Sequence, residues 1–168
     1  SIIKALSTVS PAPLAAGVGG GVTQGPRSAV IAQFADAYGC IGVVLNAAAG
    51  VETVKAVRGA IDIPIIYTVI SDYQELNEYI EAGVSIFNIS GAKETTKIVK
   101  HVRQMYPDMP IIATGGKTDE HIIATIEAGA NAITYTPPTT QAVFQKNMDK
   151  YRKNLLAEYK EEHPDEFL

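Results

Sequence analysis

The sequence predicts an α/β fold of parallel strands, a barrel-like repeat of about six βα units that is either closed with six strands or left incomplete. Three observations predict it. Short apolar or β-branched runs alternate with helical stretches from end to end, and strict alternation implies parallel strands joined by right-handed crossovers. Pro64–Gly83 (PIIYTVISDYQELNEYIEAG) and Pro110–Gly129 (PIIATGGKTDEHIIATIEAG) align without gaps at an offset of 46, with eight identities in twenty. Each stretch reads as one strand–loop–helix unit. Finally, six units in 168 residues leave 28 each; a complete eight-unit barrel takes about 250 residues and at least roughly 200. An open doubly wound sheet is the rival, and the repeat and the loop chemistry favour the barrel.

The predicted strands are Leu14–Val18, Ile41–Asn46, Pro64–Ile70, Ser85–Ser90, Pro110–Thr114 and Ala132–Thr136. Each is a short apolar run, as strands buried on both faces should be. The predicted helices are Ile2–Ser7, Arg27–Tyr38, Val51–Ala60, Tyr73–Glu81, Glu94–Met105, Asp119–Glu127 and a long last helix from about Gln141 to Glu162. Pro26 suits a first helical turn, Ser71 or Asp72 and Thr118 are candidate N-caps, and Gly39, Gly59, Gly83 and Gly129 stand where helices should stop. No linker, charge block or low-complexity segment divides the chain, so residues 1–168 read as a single domain ending in the long helix.

Composition bounds the function. Fourteen basic and 18 acidic side chains give a net charge of −4, and 46% of residues are apolar. That is a core-forming composition without the basic stripe of a nucleic-acid binder. No apolar run reaches membrane-spanning length and no basic-then-apolar leader is present, so no membrane partner is expected. Cys40 is the sole cysteine, which excludes an intramolecular disulfide; a reducing cytoplasm is the expected location. His101, His121 and His163 lie at no ligand spacing, and no metal site is expected.

In parallel α/β folds ligands gather at the carboxyl ends of the strands. Asn46, Thr68, Asn88, Ser90, Thr114, Thr134 and Thr136 share one parity in their strands, whereas Leu45, Val69, Phe87, Ile89, Ala113 and Ile133 take the other. The first set lines the predicted interior with neutral hydrogen-bonding groups, which either orient a ligand or are ordinary strand residues with satisfied bonds. No charged side chain falls on that parity. Acid–base work would therefore fall to loop residues, with Lys117, Lys93 and Asp72 the candidate catalytic groups. Both lysines read first as solvated side chains. Asp72 and Asp119 read first as helix-cap or first-turn acids.

Two glycine loops stand out. Gly115-Gly116 ends a strand and feeds a helix, the order of a backbone anion cradle and equally of a tight turn. The segment from Gly17 to Ser28 carries Gly19, Gly20 and Gly21, then Arg27 at the start of a helix. It reads as a flexible lid, as a close backbone approach to something bound, or as a turn, and Arg27 is placed to meet an anion. It fits neither a dinucleotide fingerprint nor a P-loop. Cys40 reads as a small buried hydrophobe. The last helix carries Phe144, Met148, Tyr151, Leu155 and Tyr159 at spacings of four, three, four and four, one apolar stripe whose tail either packs on a neighbouring subunit or overhangs as a fraying surface helix.

The stretch PIIATGGKTDEHIIATIEAGANAITY resembles the last two βα units of phosphate-binding TIM barrels: ribulose-phosphate-binding barrels, keto-deoxy-phosphogluconate-type aldolases, thiamin phosphate synthases, and the FMN-binding barrels of nitronate monooxygenases and inosine monophosphate dehydrogenases. The stretch PLAAGVGGGVTQGPRSAVIAQFADAYGCIGVVLNA resembles the nitronate monooxygenase opening. The resemblance implies a TIM-type fold with a phosphate held at Gly115 and Gly116, and more loosely a ligand-facing loop at Gly19–Gly21. The chain departs from the pattern at Tyr135-Thr136-Pro137-Pro138-Thr139, where two prolines remove two backbone donors. It carries no match to the aldolase Schiff-base lysine or to the monooxygenase histidine.

Three functions follow as expectations. The first is an enzyme of lyase, isomerase or hydrolase type on a shortened barrel, requiring no cofactor and expected to be a homo-oligomer because its sheet edges are exposed. It would bind a small phosphorylated or carboxylated, generally anionic, metabolite through Gly115, Gly116 and Gly19–Gly21, oriented by Asn46, Asn88, Ser90 and Thr114. The second is an FMN-binding oxidoreductase-type barrel. The third is a non-catalytic homo-oligomeric binding or scaffold protein.

Overall fold

In the computed structural model, which describes residues 1–116, 118–135 and 139–164, the chain divides into two compact units, Ser1–Tyr135 and Thr136–Leu168. The first carries six strands in one parallel sheet: β1 (Ala15–Gly19), β2 (Gly42–Leu45), β3 (Ile65–Val69), β4 (Ile86–Ile89), β5 (Ile111–Thr114) and β6 (Ala132–Thr134). Their spatial order is their sequence order. A doubly wound sheet reverses direction partway and puts helices on both faces. Here each right-handed crossover steps the same way, so the helices share one face. The result is a curled half-barrel of TIM type, incomplete, with β1 and β6 as edges that do not pair with each other among the described residues.

Burial follows the parity read from the sequence. Val43, Leu45, Ile65, Tyr67, Val69, Phe87, Ile89, Ile111 and Ala113 face the helices and are buried. They meet Ala32 and Ala35 of α2 (Pro26–Ala37), Val54 and Val57 of α3 (Val51–Arg58) and Ile98, Val99 and Val102 of α5 (Thr95–Met105). Each large aliphatic or aromatic side chain so buried contributes about 1.5–3 kcal/mol. The opposite parity is more open: Asn88, Ser90, Ile112 and Thr114 are half-buried, and Ala132 and Thr134 on the edge strand are exposed. The sheet is thus packed on its convex side only. A short helix, α1 (Ile2–Val9), precedes β1.

One predicted helix is corrected. Tyr73–Glu81 forms a helix only over α4 (Asn77–Glu81), so neither Ser71 nor Asp72 caps it. Leu76, 2% exposed, is drawn into the core, and Gln74 Nε2 donates to the Tyr67 hydroxyl at 2.9 Å. Burying Leu76 holds residues 71–76 as a loop across β3, against their helical spacing. The Ser71 hydroxyl accepts from the Tyr73 N–H instead, a local turn bond that competes with helix. Thr118 does cap α6 (Asp119–Glu127), its Oγ1 accepting from the His121 N–H.

The amino-terminal ends of β5 and β6 are tied by one arginine. Arg103 donates to the carbonyls of Gly129, Pro107 and Met109 and to Asn131 Oδ1, at 2.6–3.1 Å. Asn131 Oδ1 also accepts from the Ile111 N–H at 2.9 Å. The end of α5, the turn after α6 and the starts of β5 and β6 meet in this network. Gly129 takes φ 116° there, and a Cβ on it would press on Arg103 Cγ at 2.7 Å, so both the backbone and the arginine require glycine.

The second unit is one helix, α7 (Thr140–Glu162), capped by Thr139 Oγ1 accepting from the Ala142 N–H at 3.1 Å. None of its described side chains is buried. Among the described residues no helix is long and apolar enough to cross a membrane.

Candidate ligand site at the carboxyl ends of the strands

The strand register brings part of the predicted polar row together. Thr68 pairs with Asn88 and Asn88 with Ile112, while Thr114 pairs with Thr134 one step further along. Asn88 Nδ2 donates to Thr68 Oγ1 at 3.3 Å. Asn88 Oδ1 is shielded from solvent yet has no hydrogen-bond partner among the described residues. Ser90 follows at the end of β4, its N–H donated to the Val69 carbonyl at 2.9 Å. Asn46, at the end of β2, is exposed.

Buried polar atoms without partners are few in folded proteins, and each calls for a reason. Among the described residues there are three: Gln74 Oε1, Asn88 Oδ1 and His121 Nδ1. They belong to three consecutive units: the loop after β3, β4 itself, and the helix after β5. The chain also takes its single non-glycine positive φ among the described residues here, 52° at Ala92 in the 3-10 turn Ala92–Glu94 after β4. Such a conformation costs about 1–3 kcal/mol and clusters at functional sites. These unsatisfied atoms and the strained residue follow the strands, whereas at the starts of β5 and β6 the Arg103 network supplies hydrogen-bond partners.

At the β5–α6 junction the two glycines differ. The Gly115 N–H is donated to the Thr134 carbonyl at 2.7 Å, and a Cβ there would meet Ile133 Cγ2 at 2.6 Å, so Gly115 serves strand pairing and packing. Gly116 lies under the His121 ring, which a Cβ would strike. Its N–H and that of Asp119 have no acceptor among the described residues. Glu120 also sits at this helix start. Its own backbone N–H, then the Thr118 hydroxyl, holds its carboxyl below the usual carboxylate range. The anion-accepting capacity read from the sequence is thus narrowed to two N–H groups with a carboxylate beside them. Lys117, between Gly116 and Thr118, lies outside the described residues, as do Thr136, Pro137 and Pro138.

The other predicted residues are placed as follows. Gly20 and Thr23 exchange backbone hydrogen bonds at 2.9 and 3.2 Å, closing a hairpin turn with Gly21 at φ 58° on its first corner. Ser28 Oγ donates to the Thr23 carbonyl, Gln24 Nε2 to the Gly21 carbonyl, and the Gly25 N–H to Thr53 Oγ1. The loop is a cross-braced turn rather than a free lid. Gly19 is closely packed against Ser28 and Leu45, and Gly20 against Asn46. Arg27 is exposed beside Pro26, Val30 and Ile31 in a shallow depression. Lys93 is exposed in the turn after β4. Asp72 pairs with Lys97 of α5 at 3.0 Å, and the Lys97 ammonium holds its carboxyl below the usual range. That carboxylate clamps a loop to a helix. It is not placed among the polar row.

Sequence reading missed Gln74 and Tyr73. With Ala47, Ile70 and Ser71 they line a hollow of about 290 Å³ at the ends of β2 and β3. The Tyr67 hydroxyl donates to the Ala47 carbonyl at 3.0 Å and accepts from Gln74, and burial pushes its phenol well above the ordinary value. A helical spacing over residues 73–81 hid this loop.

No protein-family model matches the chain, and no curated protein matches it. Solved structures do. Mandelate oxidase, solved with 3,3-difluoro-2-hydroxy-3-phenylpropionic acid, superposes with a TM-score of 0.67 at 14% identity over 79% of this chain and 52% of its own. The same enzyme appears with benzoyl-formic acid at a TM-score of 0.66. A 2,3-dimethylmalate lyase, described as a PEP mutase/isocitrate lyase superfamily member, superposes at 0.64 and 17% identity over 92% of this chain and 64% of its own. The likeness establishes the TIM-type fold. The chain spans 52% to 64% of the length of these proteins.

Proposed function

We propose that the half-barrel binds a small carboxylic acid bearing a hydroxyl group, as part of an enzyme of lyase, isomerase or hydrolase type. The observation that carries this reading is Asn88 Oδ1, unpartnered on the open face between Thr68 and Ile112. Turned toward the open face by rotation of the Asn88 side chain, Oδ1 is completed by a ligand hydroxyl that donates to it; because a hydroxyl also accepts, it serves either orientation of the amide. The Gly116 and Asp119 N–H groups, with Lys117 beside them in sequence, are the donors for the carboxylate. The phosphorylated ligands expected from sequence are less well served, because the Gly115 N–H is spent on β6 and Glu120 opposes a dianion. The two neighbours named above support the carboxylic acid class. One is solved with a 2-hydroxy acid, and the other is named for a substituted malate.

The open face positions and desolvates; its described residues include no charged side chain on the inward parity. Asp72 is held as a carboxylate by Lys97 and is a poor proton donor. Proton transfer therefore falls to loop groups, with Lys117 and Lys93 the candidates. Calorimetric titration with 2-hydroxy acids and their deoxy analogues tests the reading. Wild type should prefer the hydroxy acid by about tenfold or more, since a site with an unpaired polar group rejects the analogue that leaves it unpaired. Equal binding of both, or the same preference in Asn88→Leu, would refute it.

A flavin-binding barrel is the second reading, favoured by the order strand, Gly115-Gly116, helix and by the oxidase among the neighbours. The residues present fit the phosphate end of such a group through the Gly116 and Asp119 N–H groups only. When bound it would supply hydride acceptance, and Thr68 and Asn88 would orient the substrate. Protein that is colourless as purified and unchanged in absorbance with added FMN would exclude this reading.

A further inference from the structure

We infer that α7 pairs antiparallel with α7 of a second copy of this chain. Two independent features of the helix carry the inference. The first is its apolar stripe. Phe144, Met148, Tyr151 and Leu155 recur at spacings of four, three and four, the rhythm of a coiled-coil seam. Phe144, Tyr151 and Leu155 are 64%, 60% and 53% exposed, and Met148 is half-buried.

The second feature is the distribution of charge, which names the occupant. The amino-terminal part of α7 holds Lys146, Lys150, Arg152 and Lys153 against one acid, Asp149, and Asp149 is already engaged by Arg152 at 3.5 Å and by Gln145. The carboxyl-terminal part holds Glu158, Glu161 and Glu162 against Lys160. Lys146, Lys150, Lys153, Glu158 and Glu161 have no ion-pair partner among the described residues. This polarity opposes the helix dipole, which favours acids at the start and bases at the end. The helix alone is therefore penalised by its own charge order. A parallel second copy would set base on base and acid on acid. An antiparallel one sets the basic part of each helix on the acidic part of the other, opposes the two dipoles and crosses near Leu155, so that Tyr151 and Leu155 of each stripe are covered. The surface is self-complementary, as a two-fold interface requires.

Light scattering on the full chain, read across concentration and salt, tests this. Wild type should show about twice the 17.9 kDa chain mass, dissociating on dilution and more readily at high salt. Making the acidic part basic (E158K, E161K, E162K), or the basic part acidic (K146E, K150E, K153E), should each weaken the dimer by about a hundredfold, six exposed charge pairs being reversed across the two-fold. Mixing the two variants, or combining all six changes in one chain, should restore it. Circular dichroism confirms that each variant is folded. A wild type that stays monomeric at every concentration, or a dimer that survives both triple substitutions, would overturn the inference.

Discussion

Replacing Asn88 by leucine, with its hydrogen-bond partner Thr68 replaced by valine so that no buried hydroxyl is orphaned, separates a functional polar group from a structural one. In the free protein Asn88 Oδ1 is shielded without a partner, a condition that costs about 1–3 kcal/mol when complete. The contact that leucine would sacrifice is the Nδ2 bond to Thr68 Oγ1, at 3.3 Å the long end of its kind and worth about 0.5–1 kcal/mol. Leucine would in addition lie against Ile112 on the neighbouring strand. Because the residue is half-buried, the gain should be halved, which leaves a net stabilisation of about 1 kcal/mol. Urea unfolding followed by circular dichroism reads this as a midpoint raised by about 0.5 M, for a slope of about 2 kcal/mol/M. The same variant should lose hydroxy-acid binding. Such a pairing of gained stability with lost binding marks a residue kept for function. A midpoint that falls by a comparable amount would make Asn88 a structural residue and refute the reasoning.

Three further outcomes are expected. Arg103→Met removes a charged donor from the Gly129, Pro107 and Met109 carbonyls and from Asn131, and should cost about 3 kcal/mol in urea unfolding with no change in ligand selectivity; a loss under about 1 kcal/mol would show that the amino-terminal ends are held otherwise. Glu120→Gln takes a negative charge from the start of α6, so carboxylate ligands should bind about twofold to fivefold tighter by calorimetry, and unchanged affinity would place the ligand carboxylate elsewhere. Asp72 is held below its usual value by Lys97, so the stability this pair contributes is full above the ordinary carboxylate range and is lost as pH falls through the lowered folded value. Melting temperature against pH should therefore drop less steeply on the acid side in Asp72→Asn than in wild type, and identical slopes would contradict the pairing.

The sequence carried the fold further than it carried the site, for physical reasons that differ element by element. The six strands were legible because strands buried by helices are short apolar runs, and the parity that separates Asn88 from Phe87 and Ile89 follows from the pleat alone. The copies of the internal repeat diverge where tertiary burial overrode local spacing. Leu76 pulls residues 71–76 across β3, so α4 begins at Asn77, whereas the equivalent helix in the second copy begins at Asp119. The glycine loops were legible as backbone exceptions but not as to purpose. Whether Gly115 offers its N–H to a ligand or to Thr134 depends on strand pairing that no local pattern encodes. Arg103 was invisible for the same reason: its acceptors are carbonyls, and any residue supplies one.

The central claim is that Asn88 Oδ1 on β4 and the free N–H groups after β5 belong to a ligand site. Amide chemical-shift mapping of the labelled chain during titration with a 2-hydroxy carboxylate tests it most directly. The account predicts saturable shifts concentrated at Thr68, Asn88, Ser90, Thr114 and Gly116, with the amides around Arg103 unmoved. Shifts confined to the Arg103 end or to the helix-covered face, or none at saturating ligand, would contradict it.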